Sequence, residues 1–162
     1  MSQLPQPETT EGYAPPTVRQ FSVFLDNSVG RLLSLVEQFE LEPAVQICAL
    51  SVIEASDHAV IRMIPNDAAV ARRLLRNQGM PYTEIDVLVV ELGHGHTLTT
   101  LCLHVLGAEL NIKFVYPLLL EPDGAPTIAM SIDDITLAGQ ILRRKGYRLL
   151  GEADLPHPED GE

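Results

Sequence analysis

The middle of this 162-residue chain is written twice, and that repetition limits its fold more than any other feature. Phe24, Leu32 and Leu35 recur as Val90, Leu98 and Leu101, each 66 positions later. Ile47 recurs as Ile112 with a slip of one. Met63, Asp67, Leu75 and Gly79 recur as Met130, Asp134, Leu142 and Gly146, each 67 positions later. A period near 66 with slips confined to loops is the mark of one duplicated supersecondary unit. Matched leucines arise easily by chance; Asp and Gly matched at helix punctuation points are harder to obtain that way.

Each copy reads strand, helix, strand, strand, helix, strand. The first gives about 19–26, 29–41, 44–55, 58–64, 67–78 and 81–86; the second gives 86–92, 97–108, 110–121, 126–132, 133–145 and 147–152. Val29, Leu32, Leu33, Val36 and Phe39 form an apolar stripe at helical spacing, and Leu98, Leu101, Cys102 and Val105 form another. Asp67 and either Asp133 or Asp134 stand where helix N-caps belong, and Gly79 and Gly146 where a C-terminal glycine belongs. Leu110, Ile112, Phe114, Tyr116, Leu118 and Leu120 alternate as in a half-buried strand, and Pro117 within it demands a sheet edge, since proline cannot donate to a central ladder. The fold class expected is α+β: two ferredoxin-like βαββαβ modules, each an antiparallel sheet with its helices on one face. The expected organisation is a disordered tail at 1–18, one module at 19–84, another at 85–151, and an acidic disordered tail at 152–162. The open sheet faces and edges need cover, which pairing of the two sheets supplies, within the chain or between chains.

Charge and composition exclude several functions. The net charge is −11, yet residues 19–151 hold all 11 basic residues against 15 acidic ones. The imbalance lies in the proline-bearing tails, which have too little apolar surface to offset the entropy of ordering. Without clustered Lys and Arg, nucleic acid is not an expected partner. Arg143-Arg144-Lys145, the one basic run, falls late in an expected helix, where it complements the dipole. No apolar run is long enough for a membrane span, and Met1-Ser2-Gln3-Leu4-Pro5 lacks the features of a signal peptide. Cys48 and Cys102 each sit in an apolar segment and read as buried free thiols of a cytoplasmic protein. No G-x-S-x-G, P-loop or dinucleotide-binding glycine pattern is present, so catalysis is not expected and no cofactor is implied. His94-x-His96, with Glu91 or His104 nearby in sequence, invites a metal; but a zinc site wants three or four ligands, and a solvated or capping loop is the plainer reading.

One junction has the chemistry to hold a small zwitterion. In Asp26-Asn27-Ser28-Val29-Gly30-Arg31-Leu32, Gly30 lets the backbone approach a ligand. The helix start offers unpaired N–H groups and its positive dipole end to a carboxylate. Asp26 and Asn27 offer acceptors to an ammonium group. The residues alone equally describe a capped turn in which Asn27 or Ser28 satisfies the helix and Gly30 only relieves strain.

The run Phe21 to Leu35 resembles the opening of an ACT domain, where a strand leads through Asn-x-Pro-Gly-x-Leu into a helix, and Leu110-Asn111-Ile112 resembles that family's Asn-Ile at the start of its second strand. The resemblance covers about residues 19–151 as a tandem pair. It implies a non-catalytic regulatory protein that binds a free amino acid and acts on an amino-acid biosynthetic enzyme such as acetolactate synthase. It also implies a homodimer joined through sheet edges. The alternative is a structural or oligomerisation module without a retained ligand site. Carried onto this chain, the ligand-binding residues are Asp26, Asn27, Ser28, Val29, Gly30, Arg31 and Leu32, with Gln46 and Asn111 as amides from the partner side. Position 46 also reads as an ordinary strand residue. Val29 departs from the family's proline. In the second copy His96 replaces the glycine and Gly93 the amide, so that loop is expected to have lost amino-acid binding and to serve packing or a different ligand.

Overall fold

The computed structural model describes residues 14–26, 28–93 and 95–157. The residues that repeat in sequence set the helix ends. The Asp67 side chain accepts from the Val70 N–H at 3.2 Å, and the Asp134 side chain from the Leu137 N–H at 3.0 Å. Gly79 and Gly146 follow their helices at φ 66° and 86°, a conformation that costs a side-chain-bearing residue about 1 kcal/mol. In chain order the elements are β1 (Val18–Asp26), α1 (Arg31–Leu41), β2 (Ile47–Glu54), β3 (His58–Pro65), α2 (Ala68–Asn77), β4 (Tyr82–Glu91), α3 (Leu98–Gly107), β5 (Ile112–Pro117), β6 (Thr127–Ile132), α4 (Ile135–Arg144) and β7 (Arg148–Leu150). The last turn of α4 carries Arg143 and Arg144. Among the described residues no helix is long and apolar enough to cross a membrane.

The strands expected at 81–86 and 86–92 are one strand, β4, which serves both modules. Its first half pairs with β1, from Tyr82 opposite Val23 to Val87 opposite Val18. Its second half pairs with β6 on one side, Leu88 opposite Met130, and with β7 on the other, Val89 opposite Leu150. The order is β2-β3-β1-β4-β6-β5, every pairing is antiparallel, and β7 lies beside the second half of β4. β5 pairs with β6 alone, so Pro117 sits on an edge strand.

The two modules stack within the chain and do not lie side by side. Phe21, Val23 and Leu25 turn to Leu35, Phe39 and Leu75 of α1 and α2, and Leu88, Val90 and Met130 turn to Leu101, Val105 and Leu142 of α3 and α4. The opposite faces of the sheet meet each other in a third core containing Val18, Cys48 and Ile64 from the first module and Val87, Val89, Tyr116, Leu118 and Leu150 from the second. The layers therefore run helices, sheet, sheet, helices. The sheet curls until its outer strands approach, and the Leu119 N–H donates to the Cys48 carbonyl at 2.8 Å. Across the seam the Tyr116 hydroxyl donates to Gln20 Oε1 at 2.6 Å, and Arg62 stacks over the Phe114 ring at 3.7 Å. Burial raises the Tyr116 hydroxyl pKa and pushes the Cys48 thiol up to about 11, so Cys48 packs as a small apolar group.

Several expectations need correction. Phe24 faces away from the helices, so Val90 corresponds in orientation to its neighbours Val23 and Leu25. A register shift between Ile112 and Phe114 turns Ile112 to the helices but Phe114, Tyr116 and Leu118 to the seam, and β5 ends at Pro117, short of the expected 121. The apolar stripes are not wholly buried: Phe39, Leu101 and Val105 are, but Leu32, Leu33 and Leu98 are exposed and Val29 is fully so. Cys102 is exposed, not buried. Residues 152–157 belong to the fold. They make a 3₁₀ turn, bury Leu155 in the seam, and return to the first module, where the Glu152 carboxylate accepts from the Ala68 N–H at 2.6 Å and Asn66 Nδ2 donates to the Pro156 carbonyl at 3.0 Å. The tail expectations for 1–13 and 158–162 lie outside the described residues.

Candidate functional site: the two strand–helix loops

Gly30 is the N-cap of α1, at φ 88° and ψ −4°. Among the described residues other than its two chain neighbours, no atom stands within 4 Å of where its Cβ would be, so the backbone is open on that side. A glycine N-cap has no side chain to offer the helix start; the Arg31 N–H donates instead to the Ser28 carbonyl at 3.3 Å. The junction opens on a cleft of about 350 Å³. Leu25, Asp26, Ser28, Gly30, Arg31 and Leu32 line one side of it, and Val52, Glu54, Ala59 and Ile61 of the β2–β3 hairpin line the other. Asp26 Oδ1 lies 3.2 Å from Arg31 Nε, and both side chains are exposed. The cleft presents the start of α1, a carboxylate, a guanidinium and apolar side chains, groups suited to a small zwitterion. Val29 points to solvent and is not part of the cleft lining. Asn27 lies outside the described residues.

The second junction is built differently. The His96 ring stacks on Tyr147 with centroids 3.7 Å apart and planes 22° apart, and its Nε2 lies 3.4 Å from the Gly146 carbonyl oxygen. His104 meets the same tyrosine edge-on at 5.8 Å. Thr97 and Thr100 close a reciprocal capping box: the Thr100 N–H donates to Thr97 Oγ1 at 3.1 Å and the Thr97 N–H to Thr100 Oγ1 at 2.9 Å. Thr100 Oγ1 is also 3.2 Å from the Tyr147 hydroxyl. Gly93 stands where the first loop has Asn27, and a Cβ there would come within 3.3 Å of Glu91 Oε1. The helix start that is bare in the first copy is thus occupied in the second. His94 lies outside the described residues, and the other two histidines of the metal reading are spent on Tyr147.

A family model described as "ACT domain pair" matches residues 16–155. The chain belongs to the ACT domain pair family. A search of curated proteins gives no match. Among solved structures, the chain is similar to protein BT0572 from Bacteroides thetaiotaomicron, at 20% identity and a TM-score of 0.76, over 86% of this chain and 96% of that one. It is also similar to the regulatory subunit of aspartate kinase from Thermus thermophilus, at 15% identity over 80% and 90% of the two chains, with a TM-score of 0.48. The first likeness supports the fold; the second superposes too loosely to carry an argument.

Within one ACT pair the expected site residues do not all meet. Gln46 lies at the other end of the α1–β2 groove, in a cleft of about 380 Å³ lined also by Val36, Phe39, Glu40, Glu42 and Leu119. Its backbone is tied down, its N–H donating to Asn66 Oδ1 at 2.8 Å and its carbonyl accepting from the Asn66 N–H at 3.0 Å. Asn111 lies in the matching groove of the second module, in a cleft of about 570 Å³ beside Leu98, Cys102 and Leu106, and its N–H donates to Asp133 Oδ1 at 3.1 Å. The hairpin side of the first cleft escaped sequence reasoning. The only signal was the register, which sets Val52 opposite Ile61 and Glu54 opposite Ala59, and register is not visible before the strands are paired.

Proposed function

We propose that this ACT pair is a non-catalytic regulatory protein that binds one free α-amino acid per chain at the Gly30 junction. The observation that carries the reading is the left-handed glycine N-cap of α1, which leaves a helix start bare at the mouth of a 350 Å³ cleft. The ligand carboxylate takes the start of α1, its ammonium faces Asp26, and its side chain lies toward Val52, Ala59 and Ile61. Gln46 or Asn111 from a partner chain completes the site, in a homodimer joined through sheet edges. Two free cysteines suit a cytoplasmic setting. The output is control of an enzyme of amino-acid biosynthesis, acetolactate synthase being one candidate.

Thermal-shift and calorimetric titration with each of the twenty amino acids tests this. One of them should raise the melting temperature by an amount that grows with concentration, equivalent to about 2.7 kcal/mol at a hundred times Kd. Gly30→Val should abolish the shift and His96→Gly should leave it. No shift with any amino acid, or equal loss from both variants, would sink the reading.

A further inference from the structure

Strand register decides what a ligand at the Gly30 junction meets beyond the loop itself. Leu25 of β1 stands opposite Ala59 of β3, and Ala59 stands opposite Glu54 of β2. The three make one row across the sheet, on the face that carries α1, since Leu25 and Ala59 both belong to the core that contains Leu35 and Phe39. One step along the strands, Ile61 and Val52 make the next row. The far wall of the cleft is therefore apolar at Val52, Ala59 and Ile61 and ends in a carboxylate at the hairpin. Neighbouring strands lie about 4.8 Å apart, so the backbones of β1 and β2 are separated by roughly 10 Å.

The charges of the lining do not cancel. One cation, Arg31, stands against two carboxylates, Asp26 and Glu54, which leaves one negative charge. Asp26 and Arg31 face each other at 3.2 Å. Glu54 is exposed at the end of β2, and among the described residues no ion pair involves it. An α-amino acid brings no net charge through its carboxylate and ammonium, so its side chain settles the balance. A short side chain does not cross to β2. A long neutral one ends against Glu54 and takes water from a carboxylate without replacing it. An acidic one adds like charge. A cation on an aliphatic stem matches both parts of the wall. Its methylenes lie over Val52, Ala59 and Ile61, and its head stays in water at the rim beside Glu54.

We infer that the junction selects a basic α-amino acid and that Glu54 is the residue that sets this choice. The inference rests on the reading of the Gly30 junction as an amino-acid site and adds the class of side chain. Calorimetric titration of the full chain with lysine, norleucine and glutamate tests it; norleucine keeps the four-carbon stem of lysine and ends without the ammonium. Lysine should bind roughly tenfold tighter than norleucine, and glutamate more weakly than either. The lysine preference should narrow as salt is raised, because charges at an exposed rim are screened. Glu54→Gln should bring lysine to the norleucine level, and Glu54→Lys should place glutamate ahead of lysine. Both exchanges are at an exposed position and leave the core untouched. Norleucine bound as tightly as lysine, a preference for any non-basic amino acid, or a lysine preference that survives Glu54→Gln overturns this inference and leaves the Gly30 reading in place. Binding of no amino acid, or lysine binding that Gly30→Val does not disturb, overturns both.

Discussion

Set side by side, the loops before α1 and α3 show one piece of backbone resolved in two ways. The loop before α3 gathers local stability. A reciprocal threonine cap satisfies its helix start, and a stacked imidazole and phenol fill its mouth. Such a cap is worth about 1 kcal/mol and such a ring pair about 0.5–1.5 kcal/mol. The loop before α1 forgoes both and keeps a glycine in a conformation that a larger residue enters with strain. Two copies with matched cores and matched helix ends therefore differ at the one place where a helix start can face a ligand. The two copies thus share their cores and their helix punctuation and differ in how the start of the first helix of each is capped.

The sharpest way to break the comparison is through the cores, which should be equivalent. Leu75→Ala and Leu142→Ala, at matched and fully covered positions, should each cost about 2–5 kcal/mol by urea unfolding, and the two losses should agree. Because β4 belongs to both sheets, each variant should unfold in a single transition. Two separated transitions would show the halves to be independent. Next in size is the seam. Tyr116→Phe leaves Gln20 Oε1 buried without its donor and should cost about 1–3 kcal/mol.

The loops themselves come third. Thr97→Ala should lose about 1 kcal/mol, whereas Ser28→Ala, whose contribution to α1 is its carbonyl, should lose almost nothing. The smallest effect concerns a pair present in the first module alone. Arg72 donates to Glu84 at 2.7 and 2.8 Å, and this hydrogen bond holds the Glu84 carboxyl below its ordinary range. A depressed pKa stabilises above the unfolded value, near 4.3, and the benefit fades as pH falls through the folded value. Glu84→Gln should flatten the acid limb of stability against pH and change it little near neutrality.

Much of the fold was legible from residues alone, because its signals are local. A capping aspartate, a glycine at positive φ and apolar spacing within one helix act within a few residues, so Asp67, Asp134, Gly79 and Gly146 marked their helices without help from the rest of the chain. The Gly30 junction was legible for the same reason. Its hairpin wall was not, since Val52 and Ile61 become neighbours only when two strands choose a register.

What the sequence by itself determined is thus the pair of βαββαβ units, their punctuation, and which loop kept a bare helix start. Tertiary structure decided the rest. It fused two expected strands into β4, turned β5 over at its register shift so that Tyr116 meets Gln20, and left Leu32, Leu98 and Cys102 on an open flank while Leu35 and Leu101 went inside. An apolar residue on a strand or helix states that it needs cover; what covers it depends on chain folded far away in sequence, and no short-range pattern records that.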